Sequence, residues 1–323
     1  MKKKIIINIC LCLILLPSLI SAVGLQPSLA QEIHRTEPIP IDEIFSQINE
    51  AILLKYLENL TAFGPRMTGT QACSDAADYI YQQFESMGLE VCYQTWSDGG
   101  YTASNIEATL YSHYPTSDPI SIICAHYDSV PGSPGADDDG SGVALVLAAA
   151  EILSQYSTNS IARFVVFSGE EEGLLGSHAY VEEALEQGDN IAAVINIDMI
   201  GYAVSAVDGE TIKVYSNPKA QWLKQLFISI SETYDSIDLT VTSTGVPGGS
   251  DHLSFWDAGY TAAFAHEFHL NPYMHTSEDT IEHMNLTSAV KCSKLILATF
   301  AELVEPSPSS EVMWTAIPIM AKP

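Results

Sequence analysis

Between residues 122 and 142 the chain reads Ile-Ile-Cys-Ala-His126-Tyr-Asp128-Ser, then a Pro/Gly-rich turn, then Gly-Ala-Asp137-Asp138-Asp139-Gly-Ser-Gly. An imidazole and a carboxylate one residue apart, followed by three adjacent carboxylates, are donors of the kind that bind divalent cations. A solvated acidic turn accounts for the triplet alone, because neighbouring anions repel unless water or a cation relieves them. The His-x-Asp directly upstream favours metal. Further acids follow apolar runs: Glu170, Glu171 and Glu172 after residues 161–167, and Asp198 after residues 191–197. Ser250-Asp251-His252 comes next, then a loop holding His266, Glu267, His269 and His275. Nitrogen and oxygen donors without thiolate suit zinc, or related ions such as manganese or cobalt. Two His and three carboxylates exceed the needs of one tetrahedral catalytic zinc. They suit two ions about 3.5–4 Å apart that share a carboxylate, with a water between them. The adjacent pair Glu170-Glu171 could divide the work, one facing a metal and the other serving as general base.

Apolar strands must carry these groups to one place. Residues 121–125, 161–167 and 191–197 are short apolar runs, which read as strands buried on both faces. Each ends in acid or His, and ligands collect at the carboxyl ends of strands in open α/β sheets. Residues 89–95 and 105–111 alternate apolar with polar and predict a half-exposed antiparallel edge. Shorter strands are expected at 211–215, 239–243 and 261–265. Helical spacing predicts helices over 41–63, 71–87, 143–153, 176–185, 221–234 and 288–303. Alternating strands and helices predict an α/β fold: one domain with a central mixed, mostly parallel twisted sheet and helices on both faces.

Lys2, Lys3 and Lys4 precede an apolar run from Ile5 to Ile20, with small residues after it. This is a signal-peptide pattern, so residues 1–30 are expected to direct secretion or an extracytoplasmic location, or to remain as an N-terminal membrane anchor if uncleaved. Residues 31–40 read as a mobile arm, 41–305 as the catalytic domain, and 306–323 as a Pro/Ser linker with a short tail. The whole sequence has 13 basic and 40 acidic residues, a net charge of −27. Residues 1–30 hold three lysines and no acid, so the remainder stands at −30. Such a surface excludes nucleic acid and anionic lipid as partners, and no other stretch is apolar enough to span a membrane. Cys73, Cys92, Cys124 and Cys292 are scattered, and their spacing assigns no pairing.

The constellation resembles metallopeptidase family twenty-eight, the co-catalytic dinuclear zinc aminopeptidases, whose relatives include glutamate carboxypeptidases and glutaminyl cyclases. The matching stretches are His-Tyr-Asp-Ser at 126–129, Pro-Gly-Ala-Asp-Asp-Asp-Gly-Ser-Gly at 134–142, Glu-Glu-Glu-Gly-Leu-Leu-Gly-Ser at 170–177, Ile-Asp-Met at 197–199, Ser-Asp-His at 250–252 and His-Thr-Ser-Glu-Asp-Thr at 275–280. The resemblance implies a zinc-peptidase fold and two Zn2+. Asp138 would bridge them, His126 and Asp198 would complete one site, and Glu171 and His275 the other. Glu170 would be the general base, and Asp128 would hold the His126 ring. A cis peptide between Asp138 and Asp139 is also implied. His252 reads better as a packing residue, His266 and His269 as solvated or structural, and Glu172 as exposed charge. Asp279 suits either a helix cap or a supporting role at the site. Where some secreted members carry a tyrosine on a disulfide-braced loop, this chain has Val246-Pro247-Gly248-Gly249.

The expected activity is a secreted metallo-exopeptidase acting on peptides with a free N-terminus. Met199, Phe264, Phe268, Tyr273 and Met274 lie near the ligands in sequence and suggest a hydrophobic first residue. The alternatives are a carboxypeptidase or glutaminyl cyclase on the same fold, or a binding ectodomain without catalysis. A carboxypeptidase needs basic groups for a terminal carboxylate, yet Arg35, Arg66 and Arg163 lie in none of the expected site loops. The oligomeric state is open.

Overall fold

The computed structural model describes residues 39–112, 119–245 and 247–308. The expected signal segment, most of the arm and the tail from residue 309 lie outside the described residues. The chain begins with α1 (Ile41–Phe45), α2 (Glu50–Thr61) and α3 (Gln71–Ser86), followed by the hairpin β1 (Glu90–Asp98) and β2 (Tyr101–Leu110). Then come β3 (Ile120–His126), α4 (Gly140–Leu153), β4 (Tyr156–Thr158), β5 (Ile161–Phe167), α5 (Leu175–Gln187) and β6 (Ile191–Ile197). The remainder is α6 (Ala206–Gly209), β7 (Thr211–Ser216), α7 (Gln221–Thr233), β8 (Thr240–Thr242), α8 (His252–Asp257), β9 (Ala262–Glu267), α9 (Leu286–Val304) and β10 (Pro306–Pro308).

Eight strands form one sheet in the order β1-β2-β5-β3-β6-β9-β7-β8. The four in the middle, β5, β3, β6 and β9, run parallel. The β1–β2 hairpin joins β5 antiparallel, and β7 joins β9 antiparallel. The expected mixed, mostly parallel sheet is therefore present, and its parallel core consists of the strands whose ends carry acid or His. Alternation sorts their side chains between two layers. Ile123 and Ala125 of β3 face the larger core with α1–α4, α7 and α9, while Ile122 and Cys124 face the smaller core with α5 and α8. A strand covered on both faces needs no polar positions, which explains its continuous apolar run.

Several boundaries depend on single polar contacts. The helix expected over 41–63 is two helices, because Asn49 adopts extended backbone and its side chain accepts the Ile52 N–H at 3.1 Å, starting α2 afresh. The helix expected from Val143 starts three residues earlier, where the Asp139 carboxylate caps α4 by accepting the Gly142 N–H at 2.9 Å. Residue 142 must lack a side chain for this cap, since a Cβ there would fall 2.5 Å from the Asp139 oxygens. Pro306–Pro308, read as the start of a linker, pairs antiparallel with β4, and the Ile39 N–H reaches the Pro306 carbonyl at 3.2 Å. Cys73, Cys92, Cys124 and Cys292 are all free thiols. Among the described residues no helix is long and apolar enough to cross a membrane.

Candidate metal centre and active site

The carboxyl ends of β3, β5, β6 and β9 meet at one edge of the sheet, and the expected residues meet there too. His126 is the last residue of β3. Its Nδ1 lies 3.2 Å from the Asp128 carbonyl oxygen, which can only accept, so Nδ1 carries the proton. Nε2 faces the acids. It is buried without a hydrogen-bond partner, 3.4 Å from Asp138 Oδ1 and 3.8 Å from Asp198 Oδ1. On the other side His275 Nε2 lies 3.0 Å from Asp138 Oδ2 and 3.1 Å from Glu171 Oε2. Each oxygen of Asp138 thus faces a different imidazole. The peptide between Asp138 and Asp139 is cis.

The three acids of the triplet have different partners. Asp139 takes the backbone N–H groups of His126, Gly142 and Met199 at 3.3, 2.9 and 3.1 Å. It lies within 4.8 Å reach of His126 and Asp198, but three of its four lone-pair sites are already engaged, so Asp138 is the better donor to a shared ion. Asp137 Oδ1 accepts the Gly201 N–H at 2.8 Å, and Oδ2 accepts the Asn271 amide at 2.9 Å. Its buried neighbour Glu267 accepts from Asn271 N at 2.8 Å and Tyr202 N at 2.6 Å, so this pair ties together the loops after β6 and β9. Asp279 is no helix cap: it accepts the N–H groups of Asp137 and Asp138 at 3.0 and 3.2 Å and supports the acidic loop.

Asp128 does more for the glutamates than for the His126 ring. Its carboxylate is 3.6 Å from Nδ1, farther than its own carbonyl, and instead accepts the N–H groups of Glu170 and Glu171 and the Thr68 hydroxyl. Glu172 is half-buried beside Asp128 and Thr68 rather than an exposed charge. His252 is fully buried, stacked on Phe264 with centroids 4.4 Å apart and edge-on to Trp256, with both nitrogens unpartnered. Its placement fits packing, as expected. His266 Nδ1 donates to the Asp198 carbonyl at 2.7 Å, and His269 pairs with Asp208 at 2.6 Å.

The electrostatics call for positive charge. Burial pushes the Glu170 carboxyl up to about 10, reinforced by Asp198, Asp251 and Asp128 and opposed by His126. Burial and Asp138 raise Glu171 to about 7. Burial alone would raise Asp138 too, but the two imidazoles hold it below the usual carboxylate range. The hydrogen bond to Asp138 raises His275 to about 9. So many acids around two imidazoles cost free energy that protons must offset when no cation does. The donor set and the unpartnered His126 Nε2 fit divalent ions of the zinc type, with Asp138 between His126 and Asp198 on one side and Glu171 and His275 on the other.

A cavity of about 280 Å³ opens beside these groups, with Met199, Phe264, Leu270 and Met274 as its apolar wall and Glu170, Glu171 and Asp198 among its polar lining. Phe268 and Tyr273, expected near the substrate, are not in this wall; Tyr273 stacks on His283 at 4.0 Å. Leu270, 55 % exposed, takes a place the sequence did not suggest.

Arg66 was another omission. It is fully buried under the site and donates to the carbonyls of Tyr127, Pro134 and Gly135 at 2.6, 2.5 and 2.8 Å, joining the loop after β3 to the acidic turn. Thr68 and Asn105, which hold the glutamate turn, were missed as well. These residues lie far from the acids in sequence and in stretches without recognisable motifs, so no local signal marks them.

Residues 105–300 match the model of "Peptidase family M28". The chain is 33% identical over 200 residues to aminopeptidase YwaD of Bacillus subtilis, a match that covers 58% of this chain but only 41% of that protein. It is 27% identical over 303 residues to leucine aminopeptidase 1 of Paracoccidioides brasiliensis, covering 84% of this chain and 75% of that one. The crystal structure of the LapA aminopeptidase of Legionella pneumophila superposes with a TM-score of 0.74 at 27% identity, over 82% of this chain and 74% of that one. With the fold, the strand-end acids and the matched span in agreement, the chain belongs to peptidase family M28.

Proposed function

We propose that this protein is a secreted, two-zinc aminopeptidase that removes N-terminal, preferentially hydrophobic residues from peptides. The observation that carries the proposal is Asp138, whose two oxygens face His126 at 3.4 Å and His275 at 3.0 Å, with Asp198 and Glu171 beyond them. His126, Asp138 and Asp198 would hold one ion, and Glu171, Asp138 and His275 the other. Bound there, the ions would supply Lewis acidity and a water of lowered pKa. Manganese or cobalt would suit the same donors.

Glu170 lines the cavity without being needed as a donor to either ion, which suits it to general base. It would take a proton from the attacking water and return it to the departing amine. A cation beside Glu170 would bring its carboxyl down from about 10 toward the range in which it accepts protons at neutral pH. Acidic groups at the cavity suit a cationic amino end, and the Met199, Phe264, Leu270 and Met274 wall suits an apolar first side chain. The carboxypeptidase alternative has less support: no Lys or Arg is among the described residues lining the cavity, and the Arg66 guanidinium is spent on backbone carbonyls. Secretion rests on the sequence pattern of residues 1–30.

The test compares aminoacyl with N-blocked chromogenic peptides, with and without chelator, for the wild type and Glu170→Gln. The wild type should cleave only free-amine substrates and stop when chelated. Glu170→Gln should keep its metal content and lose about 10²–10⁴-fold in kcat. Cleavage of N-blocked peptides, indifference to chelator, or near-normal rates in the variant would each overturn part of the proposal.

A further inference from the structure

The turn that carries Glu170 and Glu171 is held from outside. Four successive N–H groups of this turn go to side chains from three separate segments. Ser168 N–H donates to Asn105 Oδ1 at 3.2 Å, Gly169 N–H to Thr68 Oγ1 at 3.1 Å, and those of Glu170 and Glu171 to Asp128 at 3.4 and 3.2 Å. Inside the turn the Glu170 carbonyl accepts the N–H groups of Gly173 and Leu174 at 2.9 and 3.0 Å and the Gly169 carbonyl that of Leu175 at 2.8 Å, while the clamps from outside fix its first four residues and with them the directions of the glutamate side chains. That matters here because two identical neighbours must point differently, Glu171 toward His275 and Glu170 into the cavity.

Asn105 is a side chain that bonds both ends of the turn, beside the backbone bond from Leu175 N–H to the Gly169 carbonyl at 2.8 Å. It lies fully buried in β2, the antiparallel neighbour of β5. While Oδ1 takes Ser168 N–H, Nδ2 donates to the Gly176 carbonyl at 2.8 Å and to Gln94 Oε1 at 2.7 Å. Every polar capacity of the amide is engaged except one lone pair, and a flipped amide would set Nδ2 against the Ser168 N–H. The clasp has no slack, since a Cβ on residue 176 would fall 2.0 Å from the Ser168 carbonyl oxygen and 2.4 Å from Asn105 Oδ1. Leu174, between the clasped ends, is held at φ +64, a left-handed conformation costly for a side chain of this kind.

We propose that Asn105 is a positioning residue for the reaction. By fixing Ser168 against Gly176 it sets where Glu170 stands relative to Glu171, without itself reaching the substrate. The assignment rests on Glu170 acting as general base, so the experiment carries a readout that does not depend on turnover.

Asn105→Leu removes all three bonds in a side chain of the same branched shape, and Asn105→Thr keeps one hydroxyl in a side chain suited to strands. Each would be compared with the wild type for kcat and KM on an aminoacyl substrate, and for amide hydrogen exchange across residues 168–176. In both variants exchange should accelerate in that segment, with kcat down about 10–100-fold for Asn105→Leu, less for Asn105→Thr, and KM within about threefold. If Asn105→Leu does not fold, Asn105→Thr decides by the same criteria. Unchanged exchange would overturn the clamp. Faster exchange with unchanged kcat, or a rise in KM alone, would overturn the positioning role. A wild type that folds but never turns over aminoacyl substrates would refute the Glu170 reading and the positioning role with it, leaving exchange to decide the clamp.

Discussion

His252 offers a stability measurement whose sign and size follow from burial. The ring has no exposed surface, stacks on Phe264 and leaves both nitrogens unpartnered, and burial holds its pKa down at about 4. The unfolded chain binds that proton near pH 6.5. Between these values the unfolded state holds more protons, so stability rises with pH across the window and is lost as pH falls from about 6.5 toward 4. The full span is worth about 3 kcal/mol, of which about 2.5 should be gone at pH 4.5. For a domain of this size that is roughly 5 °C in Tm. Buried acids raised above their ordinary range, such as Asp279 at about 7, act with the opposite sign. They are common to wild type and variant and cancel in a comparison. His252→Phe keeps a ring between Phe264 and Trp256 and has no proton to bind. Urea unfolding of both proteins at pH 7.5 and 4.5, in matched buffers, should show the variant gaining about 2.5 kcal/mol on the wild type between the two. A stability difference that does not change with pH would show that His252 is protonated in the folded state, or is not buried.

Two further substitutions probe the scaffold beneath the site. Arg66→Met preserves the apolar stem and strands the carbonyls of Tyr127, Pro134 and Gly135. Unmet carbonyls cost about 1–3 kcal/mol each, partly offset by relief of a buried charge, so a net loss of about 3–5 kcal/mol should appear in the urea midpoint. A loss below about 1 kcal/mol would mean that water replaces the guanidinium. Gly176→Ala forces a methyl to within 2.0 Å of the Ser168 carbonyl oxygen, so the turn must open or the helix must shift. Destabilisation beyond about 3 kcal/mol, or failure to fold, is expected by equilibrium unfolding; a variant close to wild type would show that the two ends are not in contact.

Much of the architecture could be read from the chain because its signals are local. Ile161–Phe167 and Ile191–Ile197 fold as strands with the bounds their apolar runs suggest, since burial on both faces leaves no other pattern for such a segment. The strand-end acids and imidazoles were visible for the same reason: a charge at the end of a buried run stands out against its neighbours. The family resemblance added order to these stretches, and the matched span of residues 105–300 agrees with it.

Only the folded structure decided what each polar atom touches. Asp137, Asp138 and Asp139 are chemically identical neighbours, yet their partners are Gly201 and Asn271, the two imidazoles, and three backbone N–H groups respectively. Asp128 proved to be chiefly an anchor for the glutamate turn, and Arg66, Thr68 and Asn105 support site loops from segments without motifs. Hydrophobic burial follows periodicity within a segment and can be read along the chain. A hydrogen bond depends on two atoms meeting within about 3 Å, and beneath the acidic loop Asp279 meets an N–H from 142 residues away, a meeting that only the packing of the sheet and its loops brings about.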